Sequence, residues 1–200
     1  MNRFFSMFGE NKDIKTIKHR GKEIKITSMD EEDVTDEFVS IGLRFNVENG
    51  YDFFSWSGRS GTHPKKDWLT MGLIEATFDY YTLEEIKEMD CSEDMLSLLE
   101  SWEGKPFWTK NKIPTLEINL SKLDSEYHNQ RIGYLMYQET ALIALKVYKM
   151  PMLFTANYCI FGKTSDKARR LWGSLRRRNK NNSSGDVLLI APNKSKYSVK

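Results

Sequence analysis

The stretch with the most chemical content runs from Leu123 to Tyr137, where a polar turn, Asp124-Ser125-Glu126-Tyr127-His128-Asn129-Gln130-Arg131, opens directly into an apolar segment that continues to Tyr148. A strand that enters a helix through a tight turn leaves the first backbone N–H groups of the helix unpaired and aimed beyond the strand end, which is the chemistry of an anion site. Gly133 stands at the mouth of that turn. Its missing Cβ allows close approach to the backbone, either by a ligand or by the sheet against which the helix packs. A second feature is charge segregation beneath a net charge of only +2. Residues 163–180 hold Lys163, Lys167, Arg169, Arg170, Arg176, Arg177, Arg178 and Lys180 against Asp166 alone, whereas residues 30–37 carry six acids and residues 84–94 six more against one lysine. A basic segment of this kind attracts phosphates, whether of a nucleotide cofactor, a nucleic acid or a membrane surface; the alternative is a solvated helix face with a basic tail.

The elements that must position these groups can be read on either side of the turn. Thr115 to Leu120 alternates apolar with polar, the period of a strand with one buried face. Ile132 to Tyr148 is apolar on most of its circumference, so a largely covered helix is expected over about 131–148. Pro151 stops it, and Met152 to Ala156 reads as a second strand, completing a βαβ unit. Further strands are expected at 22–27, after Gly21, and at 186–191, closed by Pro192, with Asn181 to Gly185 as a flexible turn. Ser28 or Asp30 can cap a helix carrying Val34, Phe38, Ile41 and Phe45. A hairpin is expected around Asn49-Gly50 and a surface loop at Ser57-Gly58-Arg59-Ser60-Gly61, a candidate for substrate contact. Residues 67–103 read as helical: Trp68, Met71, Leu73 or Ile74, and Phe78 form one stripe, Thr82-Leu83-Glu84-Glu85 a capping box, and Ser92 a further cap. Phe107-Trp108-Thr109 pairs with the strand beginning at Ile113.

Two hundred residues with 40% hydrophobic content can bury one sizeable core. The expected organisation is an N-terminal arm over 1–21 and a single domain over 22–200. No run approaches the roughly 20 apolar residues that cross a bilayer, and the opening residues are apolar for too short a distance to be a secretory signal, so a cytoplasmic location without membrane contact is expected. Cys91 and Cys159 lack metal-ligand spacing and are read as reduced; no metal site is expected.

Tyr127-His128-Asn129-Gln130-Arg131-Ile132-Gly133-Tyr134-Leu135-Met136-Tyr137 resembles the acyl-CoA-binding motif of the GNAT superfamily of N-acyltransferases, in which Arg or Gln is followed by x-x-Gly-x-Gly or Ala. His128 takes the Arg/Gln place, Arg131 the first glycine and Gly133 the second; an alternative register starts at Gln130 and puts Leu135 at the last place. Ser165-Asp166-Lys167-Ala168-Arg169-Arg170-Leu171-Trp172 is similar to the later Asn-x-x-Ala-x-x-x-Tyr helix of the family, with Ser165 for Asn and Trp172 for Tyr. The resemblance covers roughly residues 113–176. It implies an α/β fold with a mixed twisted sheet, a central buried helix and, peculiar to this chain, a helical insertion at 66–104.

It also implies a reaction, transfer of an acetyl group from acetyl-CoA to an amine. The pantetheine arm would lie between the splayed strands 113–120 and 152–156, with the pyrophosphate on Arg131, Ile132, Gly133 and Tyr134 and with Ser165 nearby. Arg131 at a glycine place either blocks the cofactor or clamps its phosphate. Attack by an amine needs a base, an N–H donor for the oxyanion and an acid for the thiolate. Glu117 is the expected base, with Glu126 and His128 as weaker candidates. Trp172 has no ionisable proton, which leaves Tyr134, Tyr137 or Tyr158 for the acid. The competing expectation is a catalytically inactive GNAT-fold scaffold or binding protein, in the style of a bacteriophage protein and conceivable as a virion component. Nucleic-acid binding through 163–180 is a third expectation, with no recognised motif behind it.

Overall fold

The computed structural model describes residues 12–29, 39–48, 68–88, 93–102, 108, 111–156, 165–178, 183–184 and 187–191. Their strands form one mixed sheet in the order β1-β2-β3-β4-β5-β6-β8-β7: β1 (Asp13–His19), β2 (Lys22–Ser28), β3 (Val39–Glu48), β4 (Trp68–Tyr81), β5 (Ile113–Leu123), β6 (Met152–Ala156), β7 (Ser183–Ser184) and β8 (Val187–Ile190). Every neighbouring pair is antiparallel except β5 and β6, which run parallel. Helices α1 (Leu83–Glu88) and α2 (Glu93–Trp102) follow β4, α3 (Ile132–Tyr148) joins β5 to β6, and α4 (Asp166–Arg178) precedes β7.

The β5-α3-β6 unit forms as its sequence dictates. Leu116 and Ile118 face α3, whose Ile143, Leu145 and Val147 are buried together with Phe154 of β6. Each such side chain contributes roughly 1.5–3 kcal/mol relative to exposure. Lys149, in the left-handed conformation with φ 55, ends α3, and Pro151 prevents its continuation. α4 packs on the same side of the sheet through Trp172 and Leu175. On the opposite side, Leu83, Ile86, Leu99 and Trp108 cover Ile113 and Leu153, so the sheet lies between two layers.

Three expectations fail. Residues 68–81 are a 14-residue strand, not part of a helical insertion; among the described residues of this region, helix spans 83–88 and 93–102. Ile74, Ala76 and Phe78 alternate on one strand face, Met71 joins the same core because it is the extra residue where the β3–β4 register slips, and pairing on both edges decides in favour of β structure. Ile41 and Phe45 likewise belong to β3, where Ile41, Leu43, Phe45 and Val47 alternate and are buried. Residues 13–19 of the expected arm form β1, an edge strand. One smaller correction concerns pairing. Ser183-Ser184 forms a short strand on β8 rather than a turn, while the expected pairing of 107–109 lies mostly outside the described residues. The expected helix start at 30–38, the Asn49-Gly50 hairpin, the 57–61 loop, the Ser92 cap and the tail after 191 lie outside the described residues.

The capping box at Thr82 forms in both directions. Glu85 N–H donates to Thr82 Oγ1 at 3.1 Å, and Thr82 N–H donates to Glu85 Oε2 at 2.6 Å.

Candidate functional site

The turn between β5 and α3 is built by short side chains and two left-handed residues. Asp124 Oδ1 accepts from Glu126 N–H at 3.2 Å and caps a single 3-10 turn, Ser125–Tyr127. Asn129 and Arg131 then both adopt φ 62 and turn the chain into α3. A left-handed residue is the conformation glycine adopts without cost, so Arg131 keeps glycine-like backbone geometry at the place where the motif has a glycine. Its side chain is exposed. No side chain caps α3, and its first internal bond at this end is Leu135 N–H to Arg131 C=O at 3.1 Å. Helix geometry therefore leaves the amides of Ile132 and Gly133 without intrahelical acceptors.

A cavity of about 350 Å³ opens at this end of the unit. Ser121 to Leu123 of β5 form one wall, Gly133, Met136 and Tyr137 of α3 a second, and Ser165, Lys167, Ala168 and Leu171 of α4 a third, with His128 at the turn. The sequence offers Thr164 or Ser165 as the cap of the basic helix, and Ser165 caps α4, its Oγ accepting from Ala168 N–H at 3.2 Å. Lys167 Nζ lies 3.4 Å from His128 Nδ1, and His128 Nε2 lies 3.1 Å from the Leu123 carbonyl. The carbonyl can only accept, so the proton sits on Nε2 and Nδ1 accepts from the ammonium. Tyr137 Oη and Ser121 Oγ are 2.9 Å apart. Burial pushes the Tyr137 phenol above its ordinary range, and the Ser121 bond pulls it partly back.

Of the five residues expected around a cofactor, Gly133 and Ser165 line the cavity, whereas Arg131, Ile132 and Tyr134 do not. Ile132 is buried in the core, and Tyr134 lies beneath the Arg178 guanidinium, 4.6 Å from its ring centroid. A Cβ at Gly133 would meet Leu171 Cδ1, so this glycine serves the packing of α4 on α3 as well as the cavity wall. Trp172, at the place of the family's Tyr, is 1% exposed between Tyr137 and Phe154 and plays no part in the cavity.

Glu117 lies on the other face of the sheet. Leu116 and Ile118 face α3, so Glu117 points away, yet Ser121 reaches Tyr137 of α3. The reversal comes from a bulge: the β4–β5 register slips between Glu75 and Ala76, leaving Asn119 as the extra residue. Glu117 is 6% exposed and accepts from Tyr81 Oη at 3.2 Å. Burial pushes its carboxyl above the usual range, the Tyr81 bond pulls it down, and the nearby Asp79 pushes it up. Tyr81 and Asp79 carry no sequence signal for this role, because a strand had to be recognised at 68–81 before they could be placed beside β5. Glu126 is exposed and does not line the cavity. The parallel ladder of β5 and β6 covers Thr115↔Leu153 to Ile118↔Ala156, while β5 continues to Leu123. Among the described residues, no strand lies on the β6 side of β5 beyond that point.

No known protein family, curated protein or solved structure matches the chain. No metal-binding cluster occurs among the described residues. No described helix is long and apolar enough to cross a membrane.

Proposed function

We propose that the protein is a GNAT-type N-acyltransferase that transfers an acetyl group from acetyl-CoA to an amine. The observation that carries the reading is the β5-α3-β6 unit: among the described residues β5 and β6 pair in parallel from Thr115↔Leu153 to Ile118↔Ala156, and β5 continues to Leu123 beside a cavity under the uncapped start of α3. An elongated thioester fits this layout, its phosphates at the amides of Ile132 and Gly133 with Lys167 beside them, and its arm along β5. Arg131 does not obstruct it, since its side chain is exposed and outside the cavity wall.

Glu117 is the base. Its raised affinity for protons suits it to accept one from an ammonium as the nitrogen attacks the thioester carbonyl, with Tyr81 holding the carboxylate. The carbon–sulfur bond then breaks and the thiolate leaves as the thiol once protonated. Tyr137 is the phenol in the cavity wall and remains protonated at neutral pH. Two observations favour the alternative of a non-catalytic GNAT-fold scaffold: the burial of Trp172 at the acid's place and the use of Gly133 in helix packing. Calorimetric titration of the full chain with CoA, followed by thiol release from acetyl-CoA in the presence of a panel of amines, separates the two. Micromolar binding with amine-dependent release is expected, binding without release leaves the scaffold, and no binding at millimolar CoA removes the proposed site.

A further inference from the structure

Three cationic segments, distant in sequence, meet around the turn that precedes α3. The β1–β2 hairpin brings His19, whose Nε2 lies 3.0 Å from the Gln130 carbonyl, and Lys22, which donates to Gln130 Oε1 at 3.3 Å and stands 4.8 Å over the Tyr127 ring. The exposed Arg20 lies between them at the hairpin tip. The turn adds the exposed Arg131 and the positive end of α3. α4 crosses the same region along its whole length, with Lys167 on His128, Leu171 against Gly133 and Arg178 over Tyr134. Its buried face is Trp172 and Leu175, so Arg169, Arg170 and Arg177 are left exposed. Only Asp166 offsets them on that helix, pairing with Arg169 at 3.3 Å.

We propose that this face binds duplex DNA through its phosphate backbone, independently of base sequence. Cations stand on all three segments and outnumber the acids among them, Glu23 on β2 and Asp124 and Glu126 in the turn, whereas one CoA molecule needs cations only at the cavity mouth. Among the described residues, Tyr127 is buried beneath Lys22 and Tyr134 lies under Arg178, so neither ring offers a platform on which unpaired bases would stack. A continuous double-stranded backbone is the polyanion that such a surface fits. The outer side of α4, opposite Trp172 and Leu175, is centred on the exposed Arg170 and Arg177, and a basic helix face enters the wide major groove of B-form DNA but not the narrow one of A-form RNA. The opposite layer is acidic at α1, with Glu84 and Glu85 in its first turn, which orients the molecule with α4 toward the polyanion.

Fluorescence anisotropy of a labelled duplex of about 20 base pairs, titrated with the full chain between roughly 50 and 200 mM salt, tests the proposal. Micromolar binding is expected at the lower salt, indifferent to sequence, with log K falling against log salt at a slope of about −4, as for four to five phosphates neutralised. The variant Arg169→Glu/Arg170→Glu/Arg177→Glu changes exposed side chains only and leaves Lys167 and the cavity intact. It is expected to lose DNA binding by more than tenfold while keeping the parent's circular dichroism and CoA titration. Absence of binding at low salt, a slope near zero, equal binding by the triple variant, or preference for single strands or for duplex RNA would each overturn it. So would arginine-dependent self-association of the chain at low salt without DNA binding. The result is independent of whether acyl transfer occurs.

Discussion

A Cβ at Gly133 would stand 3.3 Å from Leu171 Cδ1 and 3.9 Å from Leu123 Cδ2, so the glycine is where α4 and β5 close on the first turn of α3. Two effects compete in Gly133→Ala: a helix gains up to about 1 kcal/mol from alanine, and the tight contact removes a similar amount. Stability within about 1 kcal/mol of the parent is expected. Gly133→Glu has no such balance, because its longer side chain must displace Leu171, and a loss of about 2 kcal/mol in urea unfolding is expected together with loss of CoA binding. A Gly133→Glu protein as stable as the parent would show that α4 does not close here.

Glu117 gives a prediction with a sign. Its folded-state affinity for protons is raised above the ordinary value of 4.5, so the native protein binds more protons than the unfolded chain between that value and the raised one. Stability therefore falls as pH rises through that window and is flat above it. Glu117→Gln removes the dependence. Its melting temperature relative to the parent is expected to increase from pH 4 to neutrality, and a constant difference would contradict the burial argument.

The same substitution separates binding from chemistry. If Glu117 takes the amine proton, Glu117→Gln lowers kcat by about 100-fold or more while the CoA dissociation constant stays within about twofold. In the parent, the rate rises with pH through an inflection above 4.5 as the carboxylate forms. A variant with unchanged kcat would remove the base from Glu117.

Lys167 is exposed, and its bond to His128 is at the cavity rim. Lys167→Ala is expected to change stability by less than about 0.5 kcal/mol and to weaken CoA about five- to tenfold, an effect that shrinks in high salt. Equal affinity in parent and variant would place the phosphates elsewhere.

Lys15 of β1 pairs with Glu139, which is 7% exposed within α3. Removing the lysine strands a carboxylate in the core, so Lys15→Ala is expected to cost about 1–3 kcal/mol, and Lys15→Ala/Glu139→Gln to recover much of it. Additive losses in the double variant, measured by chemical denaturation, would show that the pair is not coupled.

The βαβ unit was legible because its signals agree: Leu116 and Ile118 alternate, 132–148 is apolar on most of its circumference, and Pro151 punctuates the chain. Ser165 as a cap and the Thr82–Glu85 box were legible for the same reason, since capping depends on neighbours in sequence. β4 was not, because Met71, Ile74 and Phe78 keep a helical spacing that the strand reproduces only through the bulge at Met71, and the partners Leu43 on β3 and Ser121 on β5 decide. β1 has partly exposed side chains throughout and is held by pairing with β2 and by Glu139, neither of which its own residues announce. The bulge at Asn119 was equally hidden, and with it the fact that Glu117 and Ser121 face opposite sides.

The fastening of Gln130 by His19 and Lys22 has a kinetic consequence. The two bonds span 111 and 108 residues, so they close a very long loop and form only after β2, β3, β4 and β5 have taken their places. β5, α3 and β6 can associate through contacts of short range, but the left-handed residues Asn129 and Arg131 gain this support last. During refolding, the core should reach native protection from hydrogen exchange before the turn amides do, so the chain acquires its fold ahead of its binding site. A late phase confined to the 128–133 amides, abolished by His19→Ala/Lys22→Ala, is the signature of that order.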